Sequence, residues 1–462
     1  MQTPATTAPP QQGQLVELEI TDLADSGDGV GRYDNIVVFV PDTVTGDRVL
    51  AKLTRVKPRY ANAKLDRILE PSPQRTRPSC IVADKCGGCQ WQHIKYESQL
   101  EAKRQQVEQA LIRLGGFSQP TVDAVLPAAP FAYRNKATYP VDRSSDGKVR
   151  AGYYQKGSHK IVNLNQCPVQ DDRLDPLLAQ VKQDIEFHGW SIYNESEHRG
   201  KIRHLAVRIG RRTGEMLLTI VTTDDRLSNI KERSQVWMER YPGLVGVCVN
   251  INRDRTNVIF GPETRCVAGR EELTEEFAGL RWQLRPDTFF QVNTEAAETL
   301  LDVVIEGLNL QGDEAIVDAY CGIGTFALPL AQRVQQVVGI EAQPEAVELA
   351  RRNAIANNID NTEFIIGKVE KQLGEWTMEN SSVSKRVVLL DPPRSGCDRA
   401  VLNTLLDWQP QRIAYVSCKA STLARDLKIL CDSGEYQLDR VTPVDFFPQT
   451  PHVECVAFLS RV

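Results

Sequence analysis

The chain of 462 residues has no apolar run long enough to cross a bilayer, which argues against a spanning helix. Its opening, MQTPATTAPPQQGQ, has neither a charge cluster nor an apolar stretch, so no secretory leader is expected there, only a polar disordered tail over residues 1–13. A cytoplasmic location follows as an expectation, and there thiols stay reduced. An excess of positive charge is also missing. The net charge of −5 excludes a protein that coats nucleic acid over its whole surface. No internal repeat is evident, and a chain of this length exceeds one hydrophobic core, so two or three unlike domains are expected.

What is present is unevenly placed. Residues 51–80 hold eight basic side chains, Lys52, Arg55, Lys57, Arg59, Lys64, Arg67, Arg75 and Arg77, against only Asp66 and Glu70. They lie among the short alternating segments of residues 14–70, separated by the turn-rich DSGDGVGRYD and PDTVTGD, the pattern of a small β-barrel of the oligonucleotide-binding kind. A solvated basic face is the plain reading, and a phosphate-tracking surface fits the barrel somewhat better. Residues 80–280 read as a mixed α+β region. SQLEAKRQQVEQALIRLGG has helical spacing, and IRHLAVRIGRRTGEMLLTIVTT and GLVGVCVNINRDRTNVIFG look like paired strands. FAYRNKATYPV suits either base stacking or ordinary strand surface. From residue 281 the pattern is strand, Gly-rich loop, helix, in four units that imply an α/β parallel sheet with functional positions at the carboxyl ends of its strands.

Those ends carry chemistry. Asp318-Ala319-Tyr320-Cys321-Gly322-Ile323-Gly324 gives a tight turn against a ligand, and Glu341 at the next strand end is placed to accept from a ribose hydroxyl. A third glycine of G-x-G-x-x-G is missing and Asp391-Pro392-Pro393 follows, which favours S-adenosylmethionine (SAM) over a dinucleotide. The two prolines stop their strand and hold the Asp391 carboxylate at its tip. Cys418, in AYVSCKAST, ends the following strand. A helix N-terminus and Lys419 beside it are expected to lower its thiol pKa. A thiolate serves a methyltransferase when the target is C5 of uracil: addition at C6 makes C5 nucleophilic, and a base must then remove the C5 proton. Glu454, in PQTPHVECVAFL, is the candidate base, with His452 as its competitor and a structural salt bridge as the plain reading.

Eleven cysteines make packing the default for any one of them. Cys80, Cys86, Cys89 and Cys167 are different. Cys-x5-Cys-Gly-Gly-Cys with a distant Cys167-Pro168 suits zinc or a [4Fe–4S] cluster, and the Gly-Gly pair and the Cys-Pro ending favour iron–sulfur. Cys248, Cys266, Cys321, Cys397, Cys431 and Cys455 read as packing residues.

Taken in order, FFQVN, DAYCGIGTF, DPPRSG, VSCKASTLARD and FFPQTPHVE resemble the motifs of the RNA uracil-C5 methyltransferases, most closely the branch acting on 23S ribosomal RNA. The resemblance implies a Rossmann-like SAM-dependent methyltransferase domain over 281–462, an N-terminal OB-like TRAM barrel over 14–70, and a central domain over 80–280 carrying a [4Fe–4S] site on the four cysteines. It implies Cys418 as nucleophile and Glu454 as base. Gln291, Tyr320, Gly322, Gly324, Glu341 and Asp391 would hold the methyl donor and target base. The implied partner is 23S ribosomal RNA, with a flipped-out uridine in a loop and a monomeric protein. The family more often has Asn-Pro or Asp-Pro where Lys419-Ala420 stands, and Thr325 and Lys368 replace Asn of some relatives. A radical SAM enzyme, an RNA cytosine-C5 methyltransferase using Cys397, a transfer RNA enzyme and a non-catalytic RNA-binding protein are the rival readings.

Overall fold

The computed structural model describes residues 10–379 and 385–462; residues 1–9 of the tail expected over 1–13 lie outside them. The first unit is a closed barrel of five strands, β1 (Leu15–Leu23), β2 (Gly29–Tyr33), β3 (Ile36–Val40), β4 (Arg48–Val56) and β5 (Tyr60–Glu70). Alternation along β1 buries Val16, Leu18 and Ile20 and exposes the residues between. β2 falls inside GDGVGRYD, which the sequence reads as turn. Gly29 and Gly31 weaken the strand signal, yet they are what the packing needs: a Cβ on Gly29 would strike Thr43, and one on Gly31 the Glu19 carbonyl.

Next come α1 (Tyr96–Ala110) and a π-turn over Leu111–Gly115 that Gly116 ends at φ 76°. Helix α1 packs against the last domain rather than the central one. The central sheet is formed by β6 (Lys136–Arg143), β7 (Val149–Ala151), β8 (Ile202–Ile209), β9 (Met216–Thr222), β10 (Leu244–Ile251) and β11 (Glu263–Gly269), ordered β11-β10-β9-β8-β6-β7. Helices α2 (Leu174–Phe187) and α3 (Ile230–Arg240) pack on it. The expected pairing within GLVGVCVNINRDRTNVIFG is absent. Asn252 instead donates to the Val258 and Ile259 carbonyls and closes a loop, and β10 pairs with β11. Of the FAYRNKATYPV aromatics, Tyr133 and Tyr139 are buried and cannot stack on bases, while Phe131 is half-buried.

A hairpin, β12 (Leu273–Phe277) with β13 (Leu280–Leu284), and α4 (Thr294–Leu308) lead into the last domain. Its strands are β14 (Ala315–Ala319), β15 (Gln336–Glu341), β16 (Thr362–Ile366), β17 (Arg386–Leu390), β18 (Arg412–Ser417), β19 (Tyr436–Val444) and β20 (Glu454–Arg461). They lie in the order β16-β15-β14-β17-β18-β20-β19, with α5 (Ala327–Ala331), α6 (Pro344–Ala356), α7 (Val369–Glu379), α8 (Arg399–Trp408) and α9 (Ala420–Asp432) in the connections. β14 to β18 are parallel, and all but the edge strand β16 are largely buried on both faces, whereas β20 inserts antiparallel to β18 and β19. Chain order reverses at β14, so the crevice outside the tips of β14 and β17 is the place for a ligand. Among the described residues no helix is long and apolar enough to cross a membrane.

Candidate active site

The turn after β14 forms the first wall. Tyr320 adopts φ 71°, rare for a side-chain-bearing residue, while Gly322 and Gly324 adopt φ 56° and 87°. A Cβ on Gly322 would meet nothing within 4 Å, so the backbone there faces open space. Glu341, at the end of β15, is fixed by two backbone donors: Gly322 N–H to Oε2 (3.1 Å) and Gln343 N–H to Oε1 (2.8 Å). Behind them, Asp318 is fully buried and neither carboxyl oxygen has a protein partner. Burial first, then the neighbouring Asp391 and Glu341, push its pKa well above the usual carboxylate range. An orphaned buried carboxyl beside an open glycine turn suits a ligand bearing a cation and hydroxyls, and SAM is such a ligand. Sequence reading passed over Asp318, although it opens the glycine run. Gln291 stands just before α4, its carbonyl accepting from Asn135 Nδ2 (2.8 Å).

The second wall gathers the reacting groups. β17 and β18 are parallel neighbours, so Asp391 and Cys418 extend from adjacent tips. Ser417 pairs with Cys455 across the antiparallel β18–β20 ladder, and one step further places Cys418 opposite Glu454. Burial raises Asp391 to about 7. Glu454 is pushed well above the carboxylate range by burial and by Asp391, against the pull of Arg394. The expectation for Cys418 is overturned: its pKa is raised, chiefly by burial and then by Glu454. The cation that opposes this rise is Arg394, not Lys419. Arg394 therefore belongs to the site, and the signal was its place directly after Asp-Pro-Pro. His452 reaches the surface, and partial desolvation of its ring, then Arg394 and Lys103, lower its pKa.

The four cysteines gather outside this crevice. Cys86, Cys89 and Cys167 are buried, Cys80 is half-buried, and all four thiols are free. Burial lifts Cys89 to about 11 and Cys167 to about 12, with the other thiols of the set adding to both. Gly88 N–H donates to Cys86 Sγ (3.4 Å), and the Arg134 guanidinium acts on Cys89 from nearby. The donor set fits a thiolate-bound metal in kind. Among the described residues, however, no three His, Cys, Asp or Glu groups stand at metal-holding spacing.

The profile of the tRNA (uracil-5-)-methyltransferase family matches residues 262–462, and that of the TRAM domain residues 9–65. A protein of Nostoc sp. named as an uncharacterized RNA methyltransferase is 62% identical over 97% of this chain and 96% of its own. One of Synechocystis sp. with the same designation is 54% identical over 98% and 97%. Among solved structures, the Pyrococcus abyssi tRNA (uracil-54, C5)-methyltransferase in complex with S-adenosyl-L-homocysteine superposes with a TM-score of 0.75. It is 30% identical and covers 96% of this chain and 100% of that one.

Proposed function

Because the chain belongs to the RNA uracil-C5 methyltransferase family, we propose that it methylates C5 of one uridine in 23S ribosomal RNA through a covalent bond between Cys418 and C6. The observation that carries the chemistry is the convergence of Cys418, Asp391 and Glu454 on adjacent strand tips. Glu341, Gly322, Gly324, Tyr320, Asp318 and Gln291 line the donor side, and SAM bound there supplies an electrophilic methyl group. The Cys418 thiolate, favoured by Arg394, adds to C6 and makes C5 the nucleophile, and C5 takes the methyl group as the methyl–sulfur bond breaks and S-adenosylhomocysteine leaves. Asp391 hydrogen-bonds the base and keeps it oriented. Glu454 then takes the C5 proton, the electron pair restores C5=C6, and the thiolate leaves. A stacked uridine cannot reach these groups, so the target is flipped out of a loop. The barrel grips flanking phosphates through the exposed β4–β5 face.

The same proposal includes Cys80, Cys86, Cys89 and Cys167 as ligands of a structural [4Fe–4S] cluster. Its support is the sequence spacing of the four free thiols and the backbone donor and guanidinium beside them. For the substrate, the support is the likeness of the ordered motifs to the 23S branch. Transfer RNA is the second reading, favoured by the full-length match to the Pyrococcus enzyme, which also means that a barrel does not separate the two substrates. The deciding experiment is a denaturing gel with SAM and 5-fluorouridine-substituted RNA, whose fluorine blocks the final elimination. A slow-migrating adduct on 23S fragments is expected; one on transfer RNA alone reassigns the substrate, and none on either removes the covalent mechanism.

A further inference from the structure

Glu454 is the first residue of β20; the β18–β20 ladder ends one position inside it, at Ser417 opposite Cys455, so its one strand partner is Val444, the last residue of β19. Its placement over the crevice therefore depends on Val444 and on the connection that joins the two, residues 445–453. That connection is held chiefly from outside the methyltransferase sheet. Lys103 of α1 donates to Asp445 Oδ1 (2.6 Å) and to the Phe447 carbonyl (3.1 Å), and both charged side chains are 0% exposed. One turn earlier on α1, Gln99 grips Gln449 twice: its Nε2 donates to Gln449 Oε1 (3.0 Å), and its Oε1 accepts from Gln449 N–H (3.0 Å). Gln449 sits at φ 71°, a conformation held in place by these contacts together with Trp91 N–H donating to its carbonyl (2.9 Å). Tyr133 Oη donates to the Pro448 carbonyl (3.1 Å).

The clamp reaches further. Trp91 lies two residues after Cys89, and Tyr133 packs with Cys89 and Cys167. The Trp91 indole donates to the Gly27 carbonyl of the barrel (3.0 Å), and a Cβ on Gly27 would press on Gln90 and Pro451. Barrel, cysteine segment and α1 thus meet on one loop. A buried ion pair adds little net stability over an apolar pair of the same volume, and its best-attested use is to fix register.

We propose that Lys103 and Gln99 are positioning residues for the proton-abstraction step: from α1 they hold the 445–450 loop so that Glu454 stays opposite Cys418. This rests on Glu454 as the base. The clamp acts after thiolate addition, so its loss slows the release of Cys418 from C6 more than the formation of that bond.

The test uses the full-length protein with two readouts, adduct formation on 5-fluorouridine RNA and release of product from ordinary RNA. For Lys103→Met the adduct forms at close to the wild-type rate, whereas turnover falls about tenfold to a hundredfold, the lower part of what a positioned base contributes, and covalent RNA accumulates. Gln99→Leu gives the same pattern more weakly. Lys103→Met strands Asp445 as a lone buried carboxylate, so the double variant K103M/D445L is measured beside it. It regains the melting temperature but not the release rate. Parallel loss of both steps in these variants, unchanged turnover, or recovery of turnover together with melting temperature overturns the positioning role. Glu454→Gln serves as the control: if it releases product at the wild-type rate, the reading of Glu454 as base fails on its own, separately from the clamp.

Discussion

The two halves of the crevice handle their carboxyl groups in opposite ways. On the donor side Glu341 is pinned by two backbone N–H groups at the end of β15 and stands ready as a fixed acceptor. On the reaction side Asp391 and Glu454 are half-buried, and desolvation, joined at Glu454 by the charge of Asp391, raises their affinity for protons instead. Recognition of ribose needs an acceptor of constant charge. Moving a proton needs a group whose protonated and ionised forms are both within reach. The same side raises the Cys418 thiol as well, and Arg394 is the charge that works against this and favours the thiolate there.

The largest effect that sharpens this contrast is Cys418→Ala, which removes the covalent route. Methylation falls by about four orders of magnitude or more, the 5-fluorouridine adduct vanishes, and RNA retention on a filter is kept. Persistent turnover would remove Cys418 from the mechanism. Next is Glu454→Gln, for which turnover falls about a hundredfold or more and a methylated adduct builds up on ordinary uridine.

Arg394→Gln comes third and tests the pH behaviour. A thiol with a raised pKa is mostly protonated near neutrality, so adduct formation rises as pH increases toward the thiol pKa. Glu454 must lose its proton before it can act, so its raised pKa works in the same direction and turnover falls as pH drops. Removing the guanidinium raises the thiol further and moves the rising limb of adduct formation to higher pH. A one-unit move corresponds to about tenfold at pH 7. A limb that stays in place would show that Arg394 does not act on the thiol.

Much of this contrast is legible in the sequence, for reasons that differ by residue. Cys418 and Asp391 stand out because each ends an apolar run, and in a parallel sheet that pattern alone places a residue at a strand tip. Glu454 needs more, since only the antiparallel insertion of β20 beside β18 brings it opposite Cys418, and such pairing is long-range. β16 went unread because its exposed residues interrupt the apolar run. The direction of the Cys418 shift was misjudged for the same reason: Lys419 is near in sequence, while the groups that act on the thiol, Glu454 and Arg394, come from other loops. The clamp on residues 445–450 could not be read at all. Lys103 and Asp445 are separated by 342 positions and form their pair only when α1 leaves the central domain for the methyltransferase sheet.

Back on the donor side, Glu341→Gln can accept from only one of the two backbone N–H groups and gives up the anionic acceptor. A hydrogen bond to a charged group is worth about 1.5–3 kcal/mol, so SAM affinity measured by calorimetry drops roughly tenfold or more, with adduct formation at saturating SAM little changed. A fall in the saturated rate instead would place Glu341 with the reacting groups.

The smallest expected effect lies farthest from the crevice and asks whether the barrel follows the donor side in using charge for recognition alone. Lys52 on β4 and Lys64 on β5 are register partners, both exposed, so two like charges face each other across a strand pair. Direct opposition of like charges costs a few tenths of a kcal/mol or more. The ion pairs at the base of the same sheet fall on Arg48, which joins Glu17 and Glu70, and leave this repulsion in place. A polyanion laid over the strands relieves it. Lys64→Ala should therefore lower RNA affinity a few-fold and reduce the slope of log affinity against log salt by about 0.7, the value for one phosphate of a single strand. The melting temperature of the free protein should hold or rise slightly, because the repulsion is gone. If the salt slope is unchanged while the melting temperature falls, the lysine pair serves the barrel's own fold, and the phosphate path must be sought on another face.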